Sequence, residues 1–288
     1  VQRILGGVRG GVGQVKGKRE GWSLAASDSS AELPSELTNE AFLEAEYLQV
    51  VLPARVTSRE EYLTIRRPGR GVALDRKKRN EVWSIVERYR DNERTSSSLS
   101  YAEVAEIGAA WLDLYGEASG LIADHVLVDE GQDLTPSQWK LLRALARPGR
   151  NDMFIAEDAH QRIYGHPVVL SRFGIMIVGR SRRLTLNYRT TAENLTFAIH
   201  ALEDSEFIDA EGGSTDVAGY HSARRGPAPV IFGAESEQEQ LARLCDLVEG
   251  WVRDETVDAG TVAVLARTND RALAARDALL DRGVLANH

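Results

Sequence analysis

The sequence predicts an α/β fold built on a parallel sheet and preceded by a mainly helical segment. Three observations carry this. HVLVDE (125–130) and MFIAED (153–158) are short apolar runs of the buried-strand type, and each ends in carboxylates. Between them TPSQWKLLRALARPG reads as a helix, with Thr135 as N-cap, Pro136 at the first helical position, Gln138 closing a capping box and Pro148-Gly149 ending it. Residues 36–118, in contrast, show helical periodicity. Strand, helix, strand of this length implies a parallel βαβ unit with a right-handed crossover. The carboxylates of both runs then meet at the C-terminal edge of one sheet, where open α/β sheets bind ligands.

Taken in order, residues 1–35 are rich in Gly, Ser and charge without a sustained period, and read as a flexible or truncated lead-in. NEAFLEAEYLQVVL, KRNEVWSIVERYRDN and SYAEVAEIGAAWLDLYG are three candidate helices, the last opened by Ser100 and Glu103 as a capping box. SSSLS (96–100) links the second and third. Beyond the two carboxylate-ended strands, RLTLN (183–187) reads as a strand and YRTTAENLTFAIHAL as a helix. A Gly-rich irregular stretch follows, and then PVIFGA, the helix around Cys245, TVAVLAR (261–267) and NDRALAARDALLDRG alternate β, α, β, α. That alternation is the opening of a second parallel sheet.

Composition narrows the class. With 288 residues, 43% hydrophobic and 27% charged, the chain has material for one large domain or two smaller ones. No stretch approaches the roughly 20 apolar residues of a membrane span. The first residues lack an apolar signal-peptide core and do not include an initiating Met, which points to a cytoplasmic protein and to a piece of something longer. The single cysteine, Cys245, excludes an internal disulfide and a multi-cysteine zinc site. Leu241, Leu244, Cys245, Val248 and Val252 share one helical face, so core packing is the expected role of that thiol. The net charge of -8 argues against wholesale coating of nucleic acid, yet residues 55–90 hold 11 Lys and Arg against 5 Asp and Glu. Arg66, Arg67 and Arg70 lie in this island. Its plain reading is a solvated helix face, and its functional reading is a phosphate-backbone contact.

A strand ending in Asp-Glu suits nucleoside triphosphate hydrolysis. The first carboxylate can hold Mg²⁺, directly or through water, while the second orients and deprotonates the attacking water. Asp129 and Glu130 take those positions in that order. By itself such a pair is most often an acidic strand end. Here Gln132 and Asp133 follow at once, and EDAHQRIYG and LTLNYRTT come next along the chain.

VDEGQD, EDAHQRIYG and LTLNYRTT resemble the second, third and fourth conserved motifs of UvrD/Rep-type superfamily 1 DNA helicases, which typically read VDEFQD, GDDDQSIYG and LEQNYRST. The order is the family's, and the three together are specific where each alone is weak. AVLAR (263–267) and the βα pattern before it resemble the family's second motor domain. The resemblance implies a RecA-like parallel-sheet P-loop NTPase architecture, incomplete here. Its segments are a lead-in (1–35), a helical insertion-like subdomain (36–118), the back half of a first motor domain (119–182) and the front half of a second (183–288). It implies ATP and Mg²⁺ as cofactors, single-stranded or partly duplex DNA as partner, and other helicase segments or nuclease and repair proteins as associates.

Residue by residue, the resemblance makes Asp129 a Mg²⁺ ligand and Glu130 the catalytic base, with Gln132 and Asp133 in the same nucleotide site. Gln161 senses the γ-phosphate and couples it to DNA, Tyr188 stacks on the adenine, and Arg189 acts as an arginine finger. A planar guanidinium suits that last task because it stabilises charge on a transferring phosphoryl group. Without the resemblance, Tyr188 reads equally as a packed core aromatic and Gln161 as a turn cap. Two positions depart from the family pattern. Glu157 stands where Gly is usual, although Asp158 matches, and His166-Pro167-Val168-Val169 replaces the customary WRGA, whose Trp stacks on a base. His166 offers a ring face in its place. A metal role for His166 or His160 has no second ligand at suitable spacing.

The phosphate loop should precede this region and read GxxxxGK followed by Ser or Thr, because backbone N-H groups cradle the phosphates while Lys and a hydroxyl reach phosphate and Mg²⁺. The nearest stretch, GGVGQVKGKR, fails: setting Gly17-Lys18 in register puts Val12 where Gly is needed and Arg19 where a hydroxyl is needed. The family's later motifs are not found either. The sequence therefore predicts part of an ATP-dependent translocase, the alternative being a non-catalytic helicase-derived fragment that binds DNA or protein.

Overall fold

The computed structural model describes residues 14–16, 20–68, 70–162, 167–202, 205–253 and 257–287. The chain divides into two compact units, Val1–Arg224 and Arg225–His288. Among the described residues the strands form two-stranded sheets, three parallel and one antiparallel. The α/β class therefore holds as helices with small parallel sheets; a complete RecA-like sheet is not formed among them.

The first unit opens with a helical layer. Helix α1 (Glu20–Ser27) is followed by α2 (Ser35–Thr38), α3 (Glu40–Glu46) running into a π-turn at Tyr47–Val51, α4 (Arg59–Thr64), α5 (Arg76–Thr95) and α6 (Tyr101–Ser119). The starts obey side-chain capping: Asn39 accepts from Phe42 N-H, Ser58 and Ser100 form capping boxes with Glu61 and Glu103, and Asp75 accepts from Lys78 N-H. Helix α6 stops where Gly120 turns left-handed at φ +69°, a conformation glycine adopts without steric cost. Strand β1 (Gln14–Lys16) pairs in parallel with β2 (Ser98–Ser100), which falls within the stretch read as a linker. Of GGVGQVKGKR only these three residues are described; Val12, Gly17, Lys18 and Arg19 lie outside.

An aromatic cluster centres this layer. Trp22 stacks on Tyr89 with ring centroids 3.8 Å apart and 6° between planes, and Tyr47 meets both rings edge-on or tilted. This corrects the flexible reading of the whole lead-in, since Trp22 and Ala25 of α1 are buried in the core. The Gly and Ser content of residues 1–35 masked a short stretch, WSLAA, whose apolar face the core of α3 and α5 covers. Below the rings, the Tyr47 hydroxyl donates to Glu103 Oε1 at 2.8 Å while Glu103 Oε2 accepts from Ser100 N-H at 2.7 Å, so one buried carboxylate ties a cap to the core. Burial, with the Glu103 charge beside it, raises the Tyr47 pKa and keeps the phenol protonated.

Part of the basic island is consumed inside this layer. Arg67 grips Glu46 through Nε at 2.5 Å and NH2 at 2.7 Å, and Arg70 Nε reaches the same carboxylate at 2.9 Å. The Tyr62 hydroxyl adds a third donor at 2.7 Å. Both guanidiniums are only 6% exposed and Glu46 is fully buried. Arg67 and Arg70 are thus corrected from nucleic-acid contacts to core ion pairs: desolvated cations need a carboxylate, and Glu46 supplies it. Arg79 and Arg90 likewise donate to the backbone carbonyls of residues 62, 63, 65 and 56. Arg66 alone of the three candidates is exposed.

The chain then forms β3 (Val126–Val128), α7 (Pro136–Leu145) and β4 (Met153–Ile155), with β3 and β4 parallel and Leu127 opposite Phe154. The predicted caps of α7 are present: Thr135 accepts from Gln138 N-H, Gln138 reaches back, and Pro136 opens the helix. Helix α7 lies against α6, where Gly108 leaves room for Leu141; a Cβ there would sit 3.1 Å from that side chain. Lys140 of α7 donates to Glu106 of α6 and to Pro53 O, and Arg55 Nε reaches Glu106 at 2.7 Å. These bonds fix the helical layer to the strand pair.

Strand β5 (Leu186–Thr191) pairs in parallel with β8 (His221–Arg224), and α8 (Ala192–His200) follows β5 directly. The strand runs four residues past its predicted end because Tyr188, Thr190 and Thr191 favour extended backbone, and the helix waits for Thr191 to cap it. Between them a small hairpin joins β6 (Phe207–Ile208) to β7 (Ser214–Thr215). The second unit contains α9 (Glu237–Arg253) and α10 (Asn269–Asp281), whose shared core is Cys245, Val248 and Leu279. Burial pushes the Cys245 thiol pKa up, in keeping with a packing role. The predicted strands at 229–234 and 261–267 are not formed. An apolar run becomes a strand only beside a neighbour that completes its ladder, and here Val230, Ile231 and Leu265 stay exposed.

Replacing Glu46 by Ala leaves two buried guanidiniums and a phenol without their acceptor, with an expected cost of about 3–5 kcal/mol by denaturant unfolding. Burial raises the Glu46 pKa, but Arg67, Arg70 and the Tyr62 hydroxyl outweigh that and hold it below the usual glutamate range. A lowered folded pKa contributes stability that is present above the unfolded pKa and lost as pH falls through the folded one. The gap between wild type and Glu46→Ala should therefore narrow when unfolding is followed at pH values below the ordinary glutamate range.

Candidate active site

Parallel pairing of β3 with β4 delivers both carboxylate-bearing loops to one sheet edge. The ladder continues past the strands: Ala156 N-H donates to Val128 O at 2.8 Å and Gly131 N-H to Ala156 O at 3.0 Å. Asp129 and Glu130 leave this edge exposed. Glu130 adopts φ +53° and ψ +42°, a left-handed conformation that costs a non-glycine residue about 1–2 kcal/mol. Its amide donates to Asp129 Oδ1 at 3.0 Å, so the strain orients the two carboxylates together.

Gln132 joins the two loops. Its Nε2 donates to Glu130 Oε2 at 2.5 Å, and its Oε1 accepts from Asp158 N-H at 3.0 Å. The Gln132 side chain is buried, although Glu130, one of its partners, is exposed. Asp158 then organises the second loop: Oδ1 accepts from His160 N-H at 2.9 Å and lies 3.1 Å from His160 Nδ1, while Oδ2 accepts from Gln161 Nε2 at 2.7 Å. Burial pushes the Asp158 pKa up, but the hydrogen bonds from Gln161 and His160 outweigh it and hold the carboxyl below its usual range. A continuous polar path thus runs from Glu130 through Gln132 and Asp158 to Gln161.

Gly131 shows why this loop closes. A Cβ at Gly131 would lie 3.1 Å from Trp139 Cζ2, and Trp139 is 2% exposed. The indole fills the space that a side chain would need. The second loop is backed by the hairpin region: the His160 ring meets Phe207 at 4.6 Å and Tyr220 at 5.8 Å, both edge to face. Glu157, at the position that departs from the resemblance, has its pKa raised by burial, with Arg162 opposing. Asp158 and His160 as organisers of Gln161 were not singled out in the sequence; the available signal was an Asp heading a turn, two and three residues before its partners.

Other candidates stand apart. Tyr188 on β5 is 71% exposed, and Arg189 is exposed beside it. Asn187 Oδ1 fixes the local backbone by accepting from the N-H groups of Arg189 and Thr190 at 2.8 and 3.0 Å. Among the described residues, no hydrogen bond or ion pair joins Tyr188 or Arg189 to Asp129, Glu130 or Gln161. Asp133 is exposed at the end of the 3-10 turn Gly131–Asp133. His166 lies outside the described residues.

The donor set suits Mg²⁺ with a polyphosphate. Asp129 offers one exposed carboxylate, and Mg²⁺ ordinarily takes one or two carboxylates and fills its octahedron with water and phosphate oxygens. Among the described residues no group of three or more His, Cys, Asp or Glu is placed to hold a metal by itself.

Comparison with known proteins adds two findings. Residues 26–167 match the UvrD/REP helicase N-terminal domain. The chain is also 25% identical over 215 residues, 70% of its length, to a protein of Bacillus subtilis (strain 168) named "Putative ATP-dependent DNA helicase YjcD". It spans 27% of the length of that relative. No helix among the described residues is long and apolar enough to cross a membrane.

Two substitutions test the loop. Gly131→Ala should destabilise the first unit by about 1–3 kcal/mol in chemical unfolding, because Trp139 has no room to yield. Glu130→Gly relieves the left-handed backbone at a smaller cost in unfolded-state entropy, and its melting temperature should hold or rise.

Proposed function

We propose, from the match of residues 26–167 to the UvrD/REP helicase N-terminal domain, that the chain forms part of an ATP-dependent DNA helicase or translocase moving 3′ to 5′ on single-stranded DNA. The observation that carries this reading is the polar path from Glu130 through Gln132 and Asp158 to Gln161. It links a carboxylate able to take a proton from water, through Gln132 and Asp158, to the amide expected to sense the nucleotide. Four segments follow from the same reading: a lead-in (1–35), a helical insertion (36–118), and motor-domain portions at 119–182 and 183–288.

Asp129 would hold Mg²⁺, which neutralises phosphate charge and lowers the barrier to phosphoryl transfer when bound with ATP. Glu130 orients and deprotonates the attacking water. Its strained backbone fixes the carboxylate, and Gln132 holds one oxygen while the other is left for water. Gln161, fixed through Asp158 Oδ2, reports the nucleotide state to the loop that follows it. Tyr188 offers its exposed ring to the adenine, and Arg189 its guanidinium to the γ-phosphate. DNA contacts, repair partners and a cytoplasmic location belong to this same reading.

The full-length protein should hydrolyse ATP faster in the presence of single-stranded DNA. Glu130→Gln should reduce that turnover to background, and Arg189→Ala should lower it by about 10³-fold or more with little effect on the melting temperature. Turnover retained in Glu130→Gln would overturn the assignment of the base. DNA binding by a full-length protein without any turnover would favour a non-catalytic helicase-derived module.

A further inference from the structure

We propose that the arginine-bearing segment 172–183 of the first unit is a contact surface for the phosphate backbone of single-stranded nucleic acid. From residue 167 to residue 192 the sequence holds five arginines and no Asp or Glu, inside a chain whose net charge is -8. Arg172, Arg180 and Arg182 are exposed, and none of them meets a carboxylate within ion-pair distance among the described residues. Arg180 NH2 rests on Asn151 Oδ1 at 2.8 Å and Arg182 NH1 on the Ser181 carbonyl at 3.0 Å, while the nearby Glu211 carboxylate accepts from the Ser181 hydroxyl at 2.6 Å and forms no ion pair with either arginine among the described residues. Arg183 is partly engaged, by Asp216 at 3.3 Å.

The contrast with residues 55–90 is what singles this segment out. There five of the eleven cations, Arg55, Arg67, Arg70, Arg79 and Arg90, are committed to carboxylates or carbonyls within the fold, and the exposed ones, Arg66, Arg76 and Lys77 among them, are interspersed with five Asp and Glu. A cation already balanced by a buried carboxylate releases no counterion from nucleic acid. Unbalanced arginines do, and that release supplies most of the sequence-independent affinity. Met176, Val178 and Leu184 stand 62%, 70% and 85% exposed among these arginines, offering apolar surface where unstacked bases would lie. A single strand, with its bases free, uses both features; a duplex uses only the charge. The choice of nucleic acid as partner rests on the helicase reading above, whereas the surface itself does not.

The test is fluorescence anisotropy of a labelled oligodeoxythymidylate of about 20 nucleotides titrated with the 288-residue chain across a range of salt. R180Q/R182Q should make the slope of log K against log salt shallower by about 1.4, roughly 0.7 for each lost phosphate contact, and weaken binding on the order of 25-fold at 0.1 M salt. R180K/R182K should keep most of the wild-type slope. R76Q/K77Q removes the same charge from two exposed positions of α5 and should change little. Equal loss in the two glutamine pairs would show a net-charge effect only and overturn the proposal. So would an unchanged slope in R180Q/R182Q, or a wild-type chain that does not bind. Melting temperatures matching wild type establish that each variant is folded. Strip-dependent binding without ATP turnover in the full-length protein would fault the catalytic reading and leave this surface standing. Turnover with R180Q/R182Q indistinguishable from wild type would do the reverse.

Discussion

The amide of Gln132 is the contact on which the geometry of the candidate site depends. Two loops arrive at one sheet edge because β3 and β4 are parallel and adjacent, and the backbone ladder joins them as far as Gly131 N-H and Ala156 O, beyond which a side chain must hold them. Gln132 closes the gap by donating to Glu130 and accepting from the Asp158 amide. Gln132 is buried, and an amide offers both a donor and an acceptor where a carboxylate has only acceptors. The rest of the polar path hangs on that bridge: Asp158 is positioned by it and in turn holds His160 and Gln161.

The same economy of buried polar groups runs through the helical layer. Glu46 serves Arg67, Arg70 and Tyr62, Glu103 serves Tyr47 and the cap of α6, and Glu106 serves Arg55 and Lys140. Each carboxylate is fully buried and joins elements distant in sequence. The ion pairs of Glu46 and Glu106 give little net stability over apolar packing, but breaking one leaves an isolated buried charge, so they define which elements meet. The Glu106 cluster is the informative case, because it fastens the helical layer to the helix behind the Asp-Glu strand. Part of a locally basic sequence is in this way turned into internal scaffolding, whereas the arginines of residues 172–183 lie in a stretch without Asp or Glu.

Backbone strain also falls at the strand-end carboxylates: among the described residues Glu130 shares a positive φ with three other non-glycine residues, Arg55, Ser97 and Asn151. Glu130 holds a left-handed backbone, and the neighbouring residue is a glycine only because Trp139 occupies the space beside it. The loop is bracketed by the parallel ladder on one side and the indole on the other, and that bracket keeps an unfavourable φ in place. On β5, Tyr188 and Arg189 are instead exposed and locally ordered by Asn187, ready surfaces with no partner in the Glu130 cluster.

The short helix Arg59–Thr64 with its own Ser58 capping box was not legible in the sequence, whereas capping boxes at Ser100 and Thr135, the parallel pair of Asp-Glu-ended and Glu-Asp-ended strands, the two long helices Arg76–Thr95 and Tyr101–Ser119 and the packed state of Cys245 were. Each depends on neighbours a few residues apart or on a strong period, and local backbone chemistry determines such features wherever the chain goes. The tertiary structure alone decided that Trp22 belongs to a core, that Arg67 and Arg70 face inward, that the apolar runs at 229–234 and 261–267 stay unpaired, and that Gln132 reaches Asp158. Those outcomes turn on which desolvated group finds a partner across dozens of residues. A charge or an apolar run has the same letters whether its complement is present beside it or not, so only the packed chain settles what it becomes.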